Sequence, residues 1–338
     1  MVLLRADTES DTGGQDFGGP KTSGMVRLLD FLGGNAILAL FLGVFLGLLL
    51  PDLADLARPL LAPCVVALLL ATLLRVDWDG LGHYLRRPGL IVLVTAWLLV
   101  ATPILLWALV VPLGLLPASL STALVLMAAA PPILGATSIA IIVGLDGALI
   151  MIATLLASLL APLTIPPLAL ALLGLELEVS ILEFTLRLGT VVFLAFAGAV
   201  LLRRLLSAAW LRAHARHLDG LVVIVMVIFA IAIMAGVTET LFARPGTVAL
   251  WVAAAFLANP LLQIVSAAAF AWLGRRRALT IGLASGNCNM GLLMAAMPPD
   301  SDYDVFLFFA VAQLPMYMLP AVFLPIYRRV TGAPSTDS

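Results

Sequence analysis

The chain reads as an all-α integral membrane protein of ten transmembrane helices, in two inverted five-helix repeats whose broken fourth and ninth helices cross. Three observations lead there. Of 338 residues 63% are hydrophobic and only 11% are charged, with a mean hydropathy of +1.15, which excludes an ordinary soluble domain. Charge-poor stretches long enough to cross about 30 Å of hydrocarbon as helices recur along the whole length. Two of those stretches are interrupted by proline or glycine at the same depth, one in each half of the chain.

Taken in order, residues 1–27 are rich in Asp, Ser, Thr and Gly and read as a disordered cytoplasmic tail. Phe31–Leu50 has no evident cleavage site and is long enough to span, so it is helix one rather than a signal peptide. Leu56–Leu74, Gly89–Val111, Ser119–Val143 and Gly147–Leu173 complete a first repeat over 28–175. The second repeat, 176–329, holds Leu182–Leu202, Leu218–Val237, Thr247–Leu273, Ala278–Met297 and Asp304–Tyr327, and a short cytoplasmic tail follows at 330–338.

Loops retained in the cytoplasm carry the Lys/Arg excess. With the N-terminus inside, ten spans put Lys21, Arg27, Arg75, Arg86, Arg87, Arg203, Arg204, Arg212, Arg216, Arg275, Arg276, Arg277, Arg328 and Arg329 on one side. Arg58 and Arg244 fall on the other, with Asp52, Asp55, Glu176, Glu178, Glu239, Asp300 and Asp302. Both termini are then cytoplasmic in a multi-pass protein of the cell's inner (plasma) membrane.

The halves also match internally. The third span carries Thr102-Pro103 and the eighth Asn259-Pro260, each a hydrogen-bonding residue before a helix-kinking proline. Aligning Ala123 onward with Ala278 onward brings Pro131 opposite Gly286, and Asp146 and Asp300 follow the two segments. Five spans per half make the halves enter the membrane in opposite senses, a plan common in secondary transporters. The island Ser285-Gly286-Asn287-Cys288-Asn289-Met290-Gly291 places amides and glycines at mid-membrane depth. Its backbone must face protein or water, which makes it a binding-site candidate.

Ala130-Pro131-Pro132-Ile133-Leu134-Gly135-Ala136-Thr137-Ser138, then Gly144-Leu145-Asp146-Gly147-Ala148-Leu149 and Thr154 through Leu159-Leu160-Ala161-Pro162-Leu163, resemble the bile acid:sodium symporter (BASS) family. Gly286-Asn287-Cys288-Asn289 with Gly291-Leu292 is similar to that family's Glu-x-Gly-x-Gln-Asn crossover. The resemblance follows span order after Phe31 and is specific in these two regions. It implies a core domain of spans three to five and eight to ten, a panel domain of spans one, two, six and seven, and alternating access to a cavity between them. The chain departs from the family's ligand set: its glutamate falls at Ala284 and its glutamine at Cys288, leaving Asn289 as counterpart of the asparagine. The Ser-Asn pair becomes Ala136-Thr137, or Thr137-Ser138 with a one-residue slip, and the two fifth-span hydroxyls fall at Ile150 and Thr154.

A small organic anion is the expected substrate, because half-helix N-termini offer free N–H groups and partial positive charge. Ala136, Thr137, Ser138, Ser285, Asn287 and Asn289 are the substrate-binding candidates. Thr137, Ser138, Thr154, Asn289 and Gln263 could supply a neutral cation site, with Na⁺ as the candidate ion and no other cofactor expected. No acidic residue lies securely mid-span to offset ion dehydration, so strong sodium coupling is not expected. Gln313 and Asp146 read as structural glue and as a turn or cap residue.

Other classes are weighed on the same residues. No basic face suggests nucleic acid, and no nucleophile with a base, nor paired carboxylates, lies within the spans, so no enzyme is expected. His83, His214 and His217 fall in the inner loops, and Cys64 and Cys288 have no partner at metal-ligand spacing. An arsenite-type efflux carrier of the same fold, and a membrane channel or structural protein, are the alternatives. The expected partners are the anion and membrane lipid, with monomer or homodimer left open.

Overall fold

The structure is a computed structural model that describes residues 36–74, 76, 88–133, 135–174, 180–298 and 301–332. The tail at 1–27, the start of the first span, Arg75, His83, Arg86, Arg87, Leu134, Glu176, Glu178, Asp300 and residues 333–338 lie outside the described residues. Among the described residues the backbone is helical, joined by short linkers, with an isolated β-bridge between Pro132 and Cys288.

In chain order the helices are α1 (Ala36–Leu49), α2 (Pro51–Leu74), α3 (Pro88–Val110), α4a (Ala118–Ala129), α4b (Gly135–Ile142), α5 (Gly147–Leu173) and α6 (Ile181–Leu205). A short helix, Ala208–Ala213, leads to α7a (Ala215–Ala232) and α7b (Val237–Ala243). Then come α8 (Pro245–Ala269), α9a (Arg275–Gly286), α9b (Met290–Ala296), α10a (Tyr303–Val311) and α10b (Gln313–Thr331). Seven spans are long and apolar enough to cross a bilayer: α2, α3, α5, α6, α8, His217–Ala243 and Tyr303–Pro320. The protein is therefore membrane-embedded. The first, fourth and ninth expected spans appear instead as shorter pieces, α1 and the two interrupted pairs.

The prolines act as their chemistry requires. Pro103 has no N–H and its ring crowds the preceding turn, and α3 relaxes there into a π-turn at Trp97–Ala101. Pro162, Pro166 and Pro167 lie inside α5, and Pro162 and Pro166 are buried in the bundle. Close helix packing uses small residues at four-residue spacing. A Cβ added at Gly43 would sit 2.9 Å from Ala230 Cβ, and one at Gly47 2.8 Å from the Ile231 carbonyl, so α1 lies directly on α7a.

Cross-helix bonds define two ends of the bundle. At one, Arg203 donates to the carbonyls of Leu74 and Val76 at 2.8 and 2.6 Å, Arg276 donates to Leu145 at 3.3 Å and Thr331 to Val143 at 2.8 Å. Arg275–Arg277, Arg328 and Arg329 lie at this end. At the other, Arg244 grips Asp304 through two bonds of 2.6 and 3.0 Å, and the Trp251 indole donates to the Asp304 carbonyl at 2.8 Å. The Asp304 carboxylate beside it raises the Arg244 guanidinium above its ordinary value. Arg58 and Arg187 also lie at this second end.

Candidate functional site

Each broken helix ends where its backbone leaves the helical region. Ala130 leaves α4a at φ −68°, ψ 140°, ahead of Pro131 and Pro132, and α9a stops at Gly286, where Asn287 takes φ −99°, ψ 68°. The two linkers then run antiparallel. Ile133 N–H donates to the Asn287 carbonyl and Asn289 N–H to the Pro131 carbonyl, both at 2.7 Å. This pattern puts Pro132 and Cys288 at the non-hydrogen-bonded position, where a residue without an N–H costs no ladder bond.

A break strands carbonyls at the end of each first half-helix, and each half-site is satisfied by the residue before proline in the preceding helix. The Thr102 hydroxyl reaches the Ala128 carbonyl of α4a at 3.0 Å, sharing its hydrogen with Leu98 at 2.8 Å. Asn259 Nδ2 donates to the Gly286 carbonyl of α9a at 2.6 Å. The Asn259 side is braced further: Gln263 Nε2 donates to Asn259 Oδ1 at 2.7 Å, and Tyr327 Oη donates to Gln263 Oε1 at 2.6 Å. Asp146 caps α5 by accepting from Leu149 N–H at 3.1 Å. At the corresponding start of α10a the cap is Asp302, which accepts from Asp304 N–H at 2.8 Å.

The residues singled out from the sequence occupy different environments around this crossing. Ala136 is fully buried in an apolar cluster with Ala140, Leu149 and Ile150. Ser138 is exposed on α4b. Ser285 Oγ donates to the Ile281 carbonyl at 2.9 Å, and Asn287 Nδ2 to Leu283 at 2.8 Å. Asn289 Oδ1 accepts from Leu292 N–H at 3.2 Å and so caps α9b, and both ends of the Gln263 amide are engaged. Gln313, also buried, donates to Phe309 at 3.4 Å.

Thr137 and Thr154 stand apart from these. Their buried hydroxyl oxygens, and the Oδ1 of Asn287, have no hydrogen-bond partner, as is also true of Ser158 and Thr95. An unsatisfied buried polar group costs about 1–3 kcal/mol. These groups lie on α3, α4b, α5 and the crossover linker. The sequence reasoning missed Ser158 and Thr95. Ser158 is four residues from Thr154, one helical turn along the same face of α5, and that spacing is the signal that could have found it.

A cavity of about 360 Å³ opens at the Asp304 end between α2, α6, α9b and α10a. Its lining includes Arg58, Arg187, Met294, Tyr303 and Phe306. Arg187 lies inside the predicted sixth span, where an ionisable residue is itself a functional signal, and the sequence reading passed over it. No protein-family model matches the chain, and no curated protein matches it.

Proposed function

We propose that this membrane protein is a secondary-active carrier or facilitator of a small organic anion, and a divergent relative of the bile acid:sodium symporter family. In this reading the chain crosses the membrane ten times in two inverted repeats. The panel is built from α1, α2, α6 and α7a/α7b, the core from α3 to α5 and α8 to α10b, and the two rock to give alternating access. The observation that carries it is the main-chain pairing of Ile133 with Asn287 and Asn289 with Pro131, two unwound segments held together within the protein interior. Irregular backbone at membrane depth is tolerated where it is buried in protein or lines a cavity, and discontinuous helices are where many carriers bind cargo.

The matched roles of Thr102 on Ala128 and Asn259 on Gly286 support the repeat, since each half closes its break with the residue before proline. The orphaned oxygens of Thr137, Thr154 and Asn287 support a polar guest beside the crossing. For sodium the donor set is neutral: Ala284 and Cys288 stand at the family's acid and amide positions, the Asn289 oxygen already accepts the α9b cap bond, and Ser138 is exposed. Any sodium site is then weak, and coupling to it is slight.

Purified protein in proteoliposomes tests the carrier reading. Saturable uptake of radiolabelled hexanoate, accelerated by unlabelled hexanoate on the trans side, is the expected result. Flux above that of protein-free liposomes that rises linearly with concentration and shows no trans-stimulation would identify a channel and refute the carrier.

A further inference from the structure

We propose that the 360 Å³ cavity at the Asp304 end is a capture site for small monocarboxylate anions, with Arg58 and Arg187 as the carboxylate-binding residues. The proposal rests on the carrier reading only for its purpose, not for its existence. Among the described residues the lining holds two guanidinium groups and no carboxylate, at an end otherwise rich in Asp and Glu. Arg187 is held in place by Glu183 through its Nε at 2.8 Å, while 42% of its side chain stays accessible. The Arg58 guanidinium stands 5.3 Å from the centre of the Phe306 ring, a cation–π contact that aims an exposed charge over an apolar wall. Guanidinium groups bind carboxylates through paired, charge-assisted bonds, so two beside one cavity favour an anion over a neutral or cationic ligand.

The rest of the lining sets the ligand's shape. Met294, Met297 and Phe306 supply an apolar surface beside the arginines, and the Tyr303 ring adds to it while its hydroxyl donates to the Ala235 carbonyl at 3.1 Å. At about 360 Å³ the space sits near the bottom of the roughly 300–1,000 Å³ range of ligand pockets, which suits a short aliphatic acid and not a large ring system. The cavity is also joined to the crossing. Its Met294 and Ala295 belong to α9b, which begins beside the Asn289 cap, only about 10 Å along the helix axis. A captured anion therefore leans on the same half-helix that the Ile133–Asn289 linkers position.

Arginine-specific modification by phenylglyoxal, read peptide by peptide with mass spectrometry, tests this on the full chain in phosphatidylcholine nanodiscs. Hexanoate is expected to slow modification of Arg58 and Arg187 fivefold or more while Arg329 reacts at an unchanged rate, and 1-hexanol should protect neither. Equal slowing at all three arginines, no slowing, or equal protection by 1-hexanol would overturn the site. Protection by phosphatidylglycerol in the nanodisc without hexanoate would also overturn it, assigning the arginines to a lipid headgroup. In a second measurement, Arg58→Gln with Arg187→Gln should abolish the rise in Tm that hexanoate gives the wild type, and the Arg→Lys pair should keep part of it. A full rise in the Gln pair refutes the proposal. Saturable hexanoate flux with unprotected arginines would refute this site and leave the carrier standing, whereas protection without flux would support the site and refute the carrier.

Discussion

Pro132 and Cys288 face each other across the crossing of the two broken helices, at the position of an antiparallel pair that needs no N–H from either residue. Opposed residues at such a position have Cα atoms about 4.5 Å apart, inside the span a disulfide can bridge. Pro132→Cys, in a Cys64→Ala background, should form a disulfide with Cys288 on treatment with a membrane-permeant oxidant. Peptide mass spectrometry reads the bond directly, and its absence from folded protein would mean that the two linkers do not meet.

Gly286→Ala should lower Tm. The new Cβ would stand 2.4 Å from Gln263 Cγ and 2.7 Å from the Asn259 carbonyl, and a backbone neighbour cannot give way as a flexible side chain can. Overpacking of this kind costs about 1–3 kcal/mol. Gly246→Ala, inside α8 where a Cβ meets nothing within 4 Å, is the control and should leave Tm unchanged or slightly raised.

Asn289→Ala removes the cap of α9b and should destabilise by about 0.5–2 kcal/mol, while Asn289→Ser keeps a neutral acceptor for Leu292 N–H and should recover most of it. If Asn289 also contacts cargo, hexanoate affinity falls in the Ser variant although its Tm is restored. Comparing Tm and substrate titration across the two variants separates the roles.

Cysteines placed at Arg276 and at Ser301 should label from opposite sides of the membrane with an impermeant maleimide. The two residues bracket α9a, the linker and α9b, and Arg276 bonds to Leu145 at the arginine-rich end. Labelling from one side would remove a crossing and with it the inverted repeat.

Exchanging sodium for choline should change hexanoate affinity by less than tenfold, or about 1.4 kcal/mol of coupling. Thr137 Oγ1, Thr154 Oγ1 and Asn287 Oδ1 offer neutral oxygens and no charge to balance a dehydrated cation. A larger shift in isothermal titration would show that other residues complete the sodium site.

Long charge-poor runs made the helices legible, because lipid punishes polar groups over a length that any helix must cover. The breaks were legible too, since Pro131, Pro132 and Gly286 alter the backbone locally whatever surrounds them. What remained hidden were the partners. Thr102-Pro103 and Asn259-Pro260 stood out as a repeated pattern, but only the fold shows that the residue before each proline closes a carbonyl on a different helix. Asn289 looked like a ligand, yet its own helix three residues on claims its oxygen. Arg58 read as a topological marker and Arg187 drew no notice, because neither has a neighbour in sequence that reveals a shared cavity.

The crossing between Pro131–Ile133 and Asn287–Asn289 is sewn with main-chain atoms alone, and that leaves its side chains replaceable. Side chains along the joint can change without unpicking the seam, because neither bond of the pair depends on what those residues carry. The backbone fixes where the two broken helices meet and leaves the chemistry at the meeting point free to vary.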